Sequence, residues 1–294
     1  MRYHIIHRTT YTYDSPVTVS HYLARLLPRP LANQECPWHE LLIRPEPIER
    51  SLRTDYFGNH SVYFEIEGAH QQLEVIARSL VDIRPPPAFD PAQTPAWEKI
   101  RDRFTADTVG IDYSPAEFRF SSALIQTAPV FADYAMPSFP PSRPIAEGVI
   151  SLNHRINTEF VFDSTATDLA TPISKVMEQR RGVCQDFAQV MIACLRSIGL
   201  PARYVSGYLE TRPPPGKPRL VGADASHAWV AAWCGEKLGW LDADPTNDVL
   251  PNERHITAAW GRDFSDVSPL RGVTLGAGEQ RLQVAVDVLP SDDG

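Results

Sequence analysis

A chain of 294 residues with 43% hydrophobic and 22% charged residues has the make-up of an ordinary soluble globular protein, long enough for two domains. Its net charge of −8 argues against nucleic acid or an anionic membrane surface as a main partner, and no run of about 18 apolar residues could span a bilayer. No signal-peptide pattern opens the chain, and the four cysteines (Cys36, Cys184, Cys194, Cys234) form no C-x-x-C pair; reduced thiols in a cytoplasm are expected, not disulfides or a zinc knuckle.

Residues 1–85 read as strands. His60-Ser61-Val62-Tyr63-Phe64-Glu65-Ile66 alternates with Val62, Phe64 and Ile66 on one face, after the turn signal Gly58-Asn59. Leu73, Val75 and Ala77 continue the two-residue period beyond a break at Gly68, and Thr9–Tyr13 and Leu41–Ile43 are further β-prone pieces. This pattern predicts a small all-β, sandwich-like domain. Pro85-Pro86-Pro87 then introduces a proline-rich connecting region, 86–144, read as a stiff extended linker. Within it a short helix is expected over 95–105, around Trp97 and Ile100, and a surface loop or cleft wall over 129–144.

From 145 to 294 the pattern changes. A helix over 145–157 precedes an extended piece, Glu159–Phe162, and Thr171-Pro172 starts another helix that stops at Gly182. The run Arg180-Arg181-Gly182-Val183-Cys184-Gln185-Asp186-Phe187-Ala188 then opens a third helix with Cys184 in its first turn. Phe187, Met191, Leu195 and Ile198 form its apolar stripe, and Gly199 with Pro201 supplies the stop. Beyond it the period is two, over Ala202–Leu209, Ser226–Trp233 and Trp240–Asp244, with a proline-rich loop at Arg212–Pro218. Helices followed by an antiparallel sheet make an α+β arrangement.

A thiol at a helix N-terminus lies near unpaired N–H groups and the positive end of the helix dipole, which both favour the nucleophilic thiolate. Alone, such a cysteine is commonly a small buried hydrophobe, and Asp244-Pro245 alone is a strand terminator. It is the order helix-Cys184, strand-His227, next-strand-Asp244 that points to a nucleophile, a base and a group that orients the base. A hairpin turning about Gly235-Glu236 would set His227 opposite Asp244 and Asp242 opposite Trp229; Gly239 leaves a longer turn, with another register, open. Asp186 suits the dipole of its helix, and Trp229 and Trp240 read as core or cleft wall.

Four pieces resemble the transglutaminase-like superfamily of papain-fold thiol enzymes, and in particular its bacterial two-domain members with an N-terminal β domain. They are Arg181–Ala188, Gly199–Tyr208, Ser226-His227-Ala228-Trp229 and Trp240-x-x-x-Asp244-Pro245-Thr246. The tail around His255-Ile256, Gly261–Asp263 and Asp266-Val267 resembles the same subgroup. The resemblance implies a papain-like core in which Cys184 is the nucleophile, His227 the base and Asp244 its orienting acid. It also implies acyl transfer on peptide, isopeptide or carboxamide bonds, with a peptide or protein as partner and hydrolysis, as in a cysteine protease, as the expected outcome. Transfer to an amine, as in a transglutaminase, uses the same residues, and Arg181–Cys184 loosely resembles the arylamine acetyltransferases. A non-catalytic binding module on the same fold is the reading from another class. Backbone N–H groups at the start of the Cys184 helix would hold the oxyanion, with Gln185 and Gln179 as candidate side-chain donors. Neither a nucleotide loop nor metal-ligand spacing is present, so no cofactor and no metal are expected. All covalent chemistry is placed after residue 145, with the first domain narrowing access or binding part of the substrate or a partner.

Overall fold

The computed structural model describes residues 1–104, 114–168, 170–211, 226–276 and 278–291, so the Arg212–Pro218 loop lies outside the described residues. The first region is built on two long strands, β1 (Arg2–Ala24) and β4 (His60–Ile83), which pair antiparallel over nearly their whole lengths. Between them in the chain lie β2 (Gln34–Arg44) and β3 (Glu49–Thr54). Strand β2 pairs with the C-terminal half of β4, and β3 with its N-terminal half. The β1–β4 register shifts between Thr12 and Val19, and Gly68 interrupts β4 opposite this point with φ 101. Such irregularities bend a ribbon, and the two halves fold onto each other. Tyr22, Val62 and Phe64 from one half and Tyr13, Leu73 and Val75 from the other make a shared core. The sandwich-like reading of the alternating segments therefore takes the form of a single folded sheet.

Pro85-Pro86-Pro87 runs exposed, and the chain then enters the helical layer. This comprises α1 (Trp97–Arg103), α2 (Pro129–Ala135), α3 (Ile145–Glu159) and α4 (Ile173–Gln179), followed by α5 (Cys184–Ser197). Two-residue strands β5 (Val161–Phe162) and β6 (Arg181–Gly182) pair in parallel just before α5. Residues 129–144 are not the surface loop or cleft wall expected. Pro129 takes a first-turn position where its ring suits the helix, and Phe131, Tyr134 and Phe139 enter the core shared with α5. Helix α4 likewise ends before Gly182. Arg180 closes it in the left-handed conformation (φ 51), and Gly182 already belongs to β6.

Helix α5 is buried on every side, beyond the one stripe its spacing predicts: Ala188, Val190, Ile192 and Ala193 are as inaccessible as Met191 and Leu195. It lies between helices and sheet, so burial of its apolar side chains, worth about 1.5–3 kcal/mol each, fixes its position. Its end is a two-bond glycine cap. Gly199 (φ 83) donates to the Arg196 carbonyl at 2.9 Å and Leu200 to that of Leu195 at 2.9 Å.

The sheet beneath α5 is antiparallel, formed by β7 (Ala202–Leu209), β8 (Ser226–Trp233), β9 (Trp240–Ala243) and β10 (His255–Gly261) in the order β10-β7-β8-β9. After the short α6 (Phe264–Val267), strands β11 (Leu270–Leu275) and β12 (Gln280–Pro290) return to pair with β1. Tyr3, Ile5 and Val81 of the first sheet pack with Tyr208, Ile256 and Ala258 of the second. The outer edge of β10 is finished by side chains. Gln34 bonds both backbone groups of Thr257 (2.8 and 2.9 Å), and Asn59 both those of Trp260 (2.8 and 2.9 Å). No helix among the described residues is long and apolar enough to cross a membrane.

Candidate active site

Cys184 is the first residue of α5, after Val183 in an extended conformation (φ −113, ψ 179). The turn is held by Asp186, which reaches back to accept the Val183 N–H at 2.8 Å and the Thr167 hydroxyl at 2.6 Å. Gly182 is required by this arrangement, because a Cβ there would meet the Asp186 carboxylate at 2.5 Å. The first-turn N–H groups of Cys184 and Gln185 have no acceptor within a helix, which makes them donors for a negative oxygen near the sulfur. Cys184 is half-buried.

His227, the second residue of β8, lies beside the Cys184 thiol, near enough for the sulfur to act on its proton affinity. Its Nε2 lies 2.8 Å from Asp244 Oδ2, which leaves Nδ1 for the sulfur. The three residues expected to act together are thus adjacent, through the longer turn left open at Gly239 and not the hairpin about Gly235-Glu236. Val230 pairs with Ala243 and Ala231 with Asp242, so Asp244 reaches His227 diagonally and Asp242 stands opposite Ala231, not Trp229. The cause is the longer turn. Gly235 and Gly239, at φ 94 and 75, close a six-residue loop in which Cys234 donates to Gly239 and Gly239 to Gly235. Asp244 is fully buried. Its Oδ1 accepts the backbone N–H groups of Thr246 (2.9 Å) and Asn247 (3.3 Å). Its Oδ2 meets the Asn247 amide (2.7 Å) and His255 Nε2 (3.2 Å) as well as His227. Burial disfavours a charged imidazole, yet the bonds and charge of Asp244, with the bond to Cys184, outweigh it and push His227 up to about 10. Burial likewise disfavours an ionised Asp244, but its imidazole and amide donors hold it well below the usual carboxylate range.

Residues 3–82 match the model of the bacterial transglutaminase-like N-terminal region, and residues 139–245 that of the transglutaminase-like superfamily. An uncharacterised protein of Mycobacterium tuberculosis is 43% identical over 298 residues, spanning 98% of this chain and 93% of its own. The chain belongs to the transglutaminase-like superfamily. A second uncharacterised relative, from Mycobacterium leprae, is 32% identical over 299 residues and 98% of both chains. A protein-glutamine gamma-glutamyltransferase of Pseudomonas aeruginosa is 42% identical over 104 residues, 33% of this chain but 15% of that protein. The crystal structure of a candidate cysteine protease from Cytophaga hutchinsonii aligns with a TM-score of 0.74 at 20% identity, covering 100% of this chain and 92% of that one, so the fold is shared.

Other residues of the transglutaminase-like core fall into place around this centre. Asn247 and His255, both on Asp244, were not assigned from sequence. An asparagine three residues past an Asp-Pro looks like turn chemistry, and His255 comes from a strand whose partner the sequence does not reveal. The loop that carries Asp244 and Asn247 is fastened to α3. Asn157 bonds the Thr246 carbonyl at 2.8 Å, and His154 and Asn153 hold Asp248 at 2.7 and 3.2 Å. Trp229 is fully buried against His255 (5.5 Å, 82°), while Trp240 stacks on the Arg203 guanidinium at 4.2 Å, so both are packing residues. Of the candidate side-chain oxyanion donors, Gln185 sits half-buried beside Cys184 and Gln179 is exposed at the end of α4. Cys194 and Cys234 are buried and Cys36 partly so, and burial pushes all three thiols up. Among the described residues, His227, Asp244 and His255 are also a set whose donor atoms lie within 4.8 Å of one another, close enough to converge on a metal ion. Their mutual hydrogen bonds account for that closeness.

Proposed function

We propose that the protein is a thiol-dependent acyl-transfer enzyme in which Cys184 is the nucleophile, His227 the acid–base and Asp244 the group that orients it. The observation that carries this reading is the buried Asp244 carboxylate 2.8 Å from His227 Nε2, with the thiol on the N-terminus of α5 beside that ring. With the proton held by His227, the sulfur attacks the carbonyl carbon of a peptide, isopeptide or carboxamide. The tetrahedral oxyanion takes N–H groups from the first turn of α5. His227 then gives its proton to the departing amine as the C–N bond breaks, leaving a thioester on Cys184. In the second half, His227 removes a proton from water or an amine as it attacks the thioester, and the thiol is regenerated with release of an acid or a new amide.

Hydrolysis, as in a cysteine protease acting on a peptide or protein, is the first outcome we assign, because water needs no binding site of its own. Transfer to an amine is the second, favoured by the 42% identity to the Pseudomonas aeruginosa gamma-glutamyltransferase. A pure binding role has no use for a buried carboxylate aligned on an imidazole beside a half-buried thiol. Four free cysteines suit the reducing compartment, the cytoplasm, in which we place it. The test is mass spectrometry of the protein incubated with a peptide library and a labelled amine. Free acids identify a hydrolase and labelled amides a transferase. A full set of unchanged peptides with no acyl group on Cys184 overturns the enzymatic reading.

A further inference from the structure

Beyond the three residues of the proposed acyl-transfer centre stands a second imidazole on the same carboxylate. We propose that His255 is a positioning residue, whose Nε2–H fixes the Asp244 carboxylate so that it can hold the His227 ring with Nδ1 toward Cys184. The inference rests on the function proposed above.

The tautomer of His255 follows from its neighbours. Its Nδ1 lies 3.4 Å from the backbone N–H of Asn252, and the backbone N–H of His255 donates to the Asn252 carbonyl at 3.0 Å. A backbone N–H can only donate, so Nδ1 is the accepting nitrogen and the proton of a neutral ring sits on Nε2. That nitrogen is 3.2 Å from Asp244 Oδ2. The carboxylate is thereby held from both sides. Its Oδ1 is tied to the backbone of Thr246 and Asn247, and its Oδ2 lies among the Asn247 amide and two imidazoles. Without His255, one side of Oδ2 faces an empty space in which the carboxylate can turn away from His227. The ring is itself immobilised, 5% exposed and edge-on to Trp229. Together with Trp229, Ile83, Asp242 and Thr257 it lines a cavity of about 230 Å³.

A residue acting through Asp244 has a signature that a merely structural strand residue lacks. The assay is the second-order rate of Cys184 alkylation by iodoacetamide, read by intact mass, on the full chain. His255→Leu, which fills the space but cannot donate, lowers the rate by about ten- to a hundredfold, the loss of one hydrogen bond to a charged group. His255→Gln, whose amide nitrogen reaches the Nε2 position, recovers most of that loss, whereas the shorter His255→Asn does not. This polar pair keeps the comparison available if the leucine variant is unfolded. Imidazole added to His255→Ala enters the adjoining cavity and raises the rate. In the Asp244→Asn background the His255 substitutions have no further effect. Equal rates for the Gln and Asn variants, no imidazole rescue, or the same fold-loss in both backgrounds would overturn the assignment of His255. A normal rate for Asp244→Asn alone would instead sink the triad on which it rests.

Discussion

Asp244→Asn is the substitution whose consequence the geometry fixes best. Oδ1 accepts two backbone N–H groups, from Thr246 and Asn247, so the carbonyl oxygen of the new amide must stay there. The NH2 group then replaces Oδ2 and faces His227 Nε2, His255 Nε2 and the Asn247 amide, all of them donors in the native site. Turning the amide over only moves the conflict to the backbone. His227 can relieve its share by carrying its proton on Nδ1, but that is the nitrogen left for Cys184, and it then cannot accept the thiol proton. Each buried donor without an acceptor costs about 1–3 kcal/mol, and two or more remain, which amounts to about 10²–10⁴ in rate. The wrong tautomer alone has cost about 10⁴ in a related Ser-His-Asp arrangement. Both Cys184 alkylation and peptide turnover should fall by factors in that range, with circular dichroism unchanged. A folded variant alkylated within about threefold of the wild-type rate would refute the reasoning, because no version of the amide satisfies the site.

Three further outcomes are expected. Limited iodoacetamide should label Cys184 first, ahead of Cys36, with Cys194 and Cys234 protected until the chain unfolds, since burial raises those three thiols; peptide mapping after brief exposure reads the order. Folded His227 keeps its proton up to about pH 10 whereas the unfolded imidazole loses it near 6.5, so folding takes up a proton in that window. This contribution, on the order of a few kcal/mol, is complete below pH 6.5 and fades as pH rises through 10. Urea titrations across that range should show a decline in the wild type that is shallower in His227→Ala, and parallel curves would contradict it. Asp242→Asn should leave the alkylation rate within about threefold, because Asp242 lies opposite Ala231 and interacts with Arg203, not His227; a loss as large as that of Asp244→Asn would exchange their roles.

Much of the site was legible because it is local. A glycine before a cysteine at the start of an apolar helix, and the pairing of His227 with the strand carrying Asp244-Pro245, both depend on neighbours in the chain. Asp186 capping its own helix belongs to the same class. What escaped depends on turn length or on distant strands. Gly235 and Gly239 close a six-residue loop, the longer of the two turns the sequence leaves open, and Asp244 consequently meets His227 on the diagonal. Prolines hid α2, since Pro129 starts a helix as readily as it marks a loop. His255 could not be linked to Asp244 because β10 pairs with β7, across the sheet from β9. Nor does periodicity reveal that residues 270–290 close the sheet begun by β1.

The amides of Gln34 and Asn59 on β10 bear on how this chain can be divided or inherited. An open sheet edge is a template on which foreign strands add, and proteins with such edges are prone to swapping and fibre growth. Here the seal on one edge of the β10-β7-β8-β9 sheet is made largely by side chains encoded more than 190 residues earlier. Excising the first 85 residues would bare that edge, uncover Ile256 and Ala258, and leave residues 270–290 without the strand they pair with. The half that carries Cys184 and His227 is therefore not a transplantable cassette. The N-terminal region acts as its permanent escort, and recombination that moves one without the other should yield aggregates rather than a leaner enzyme.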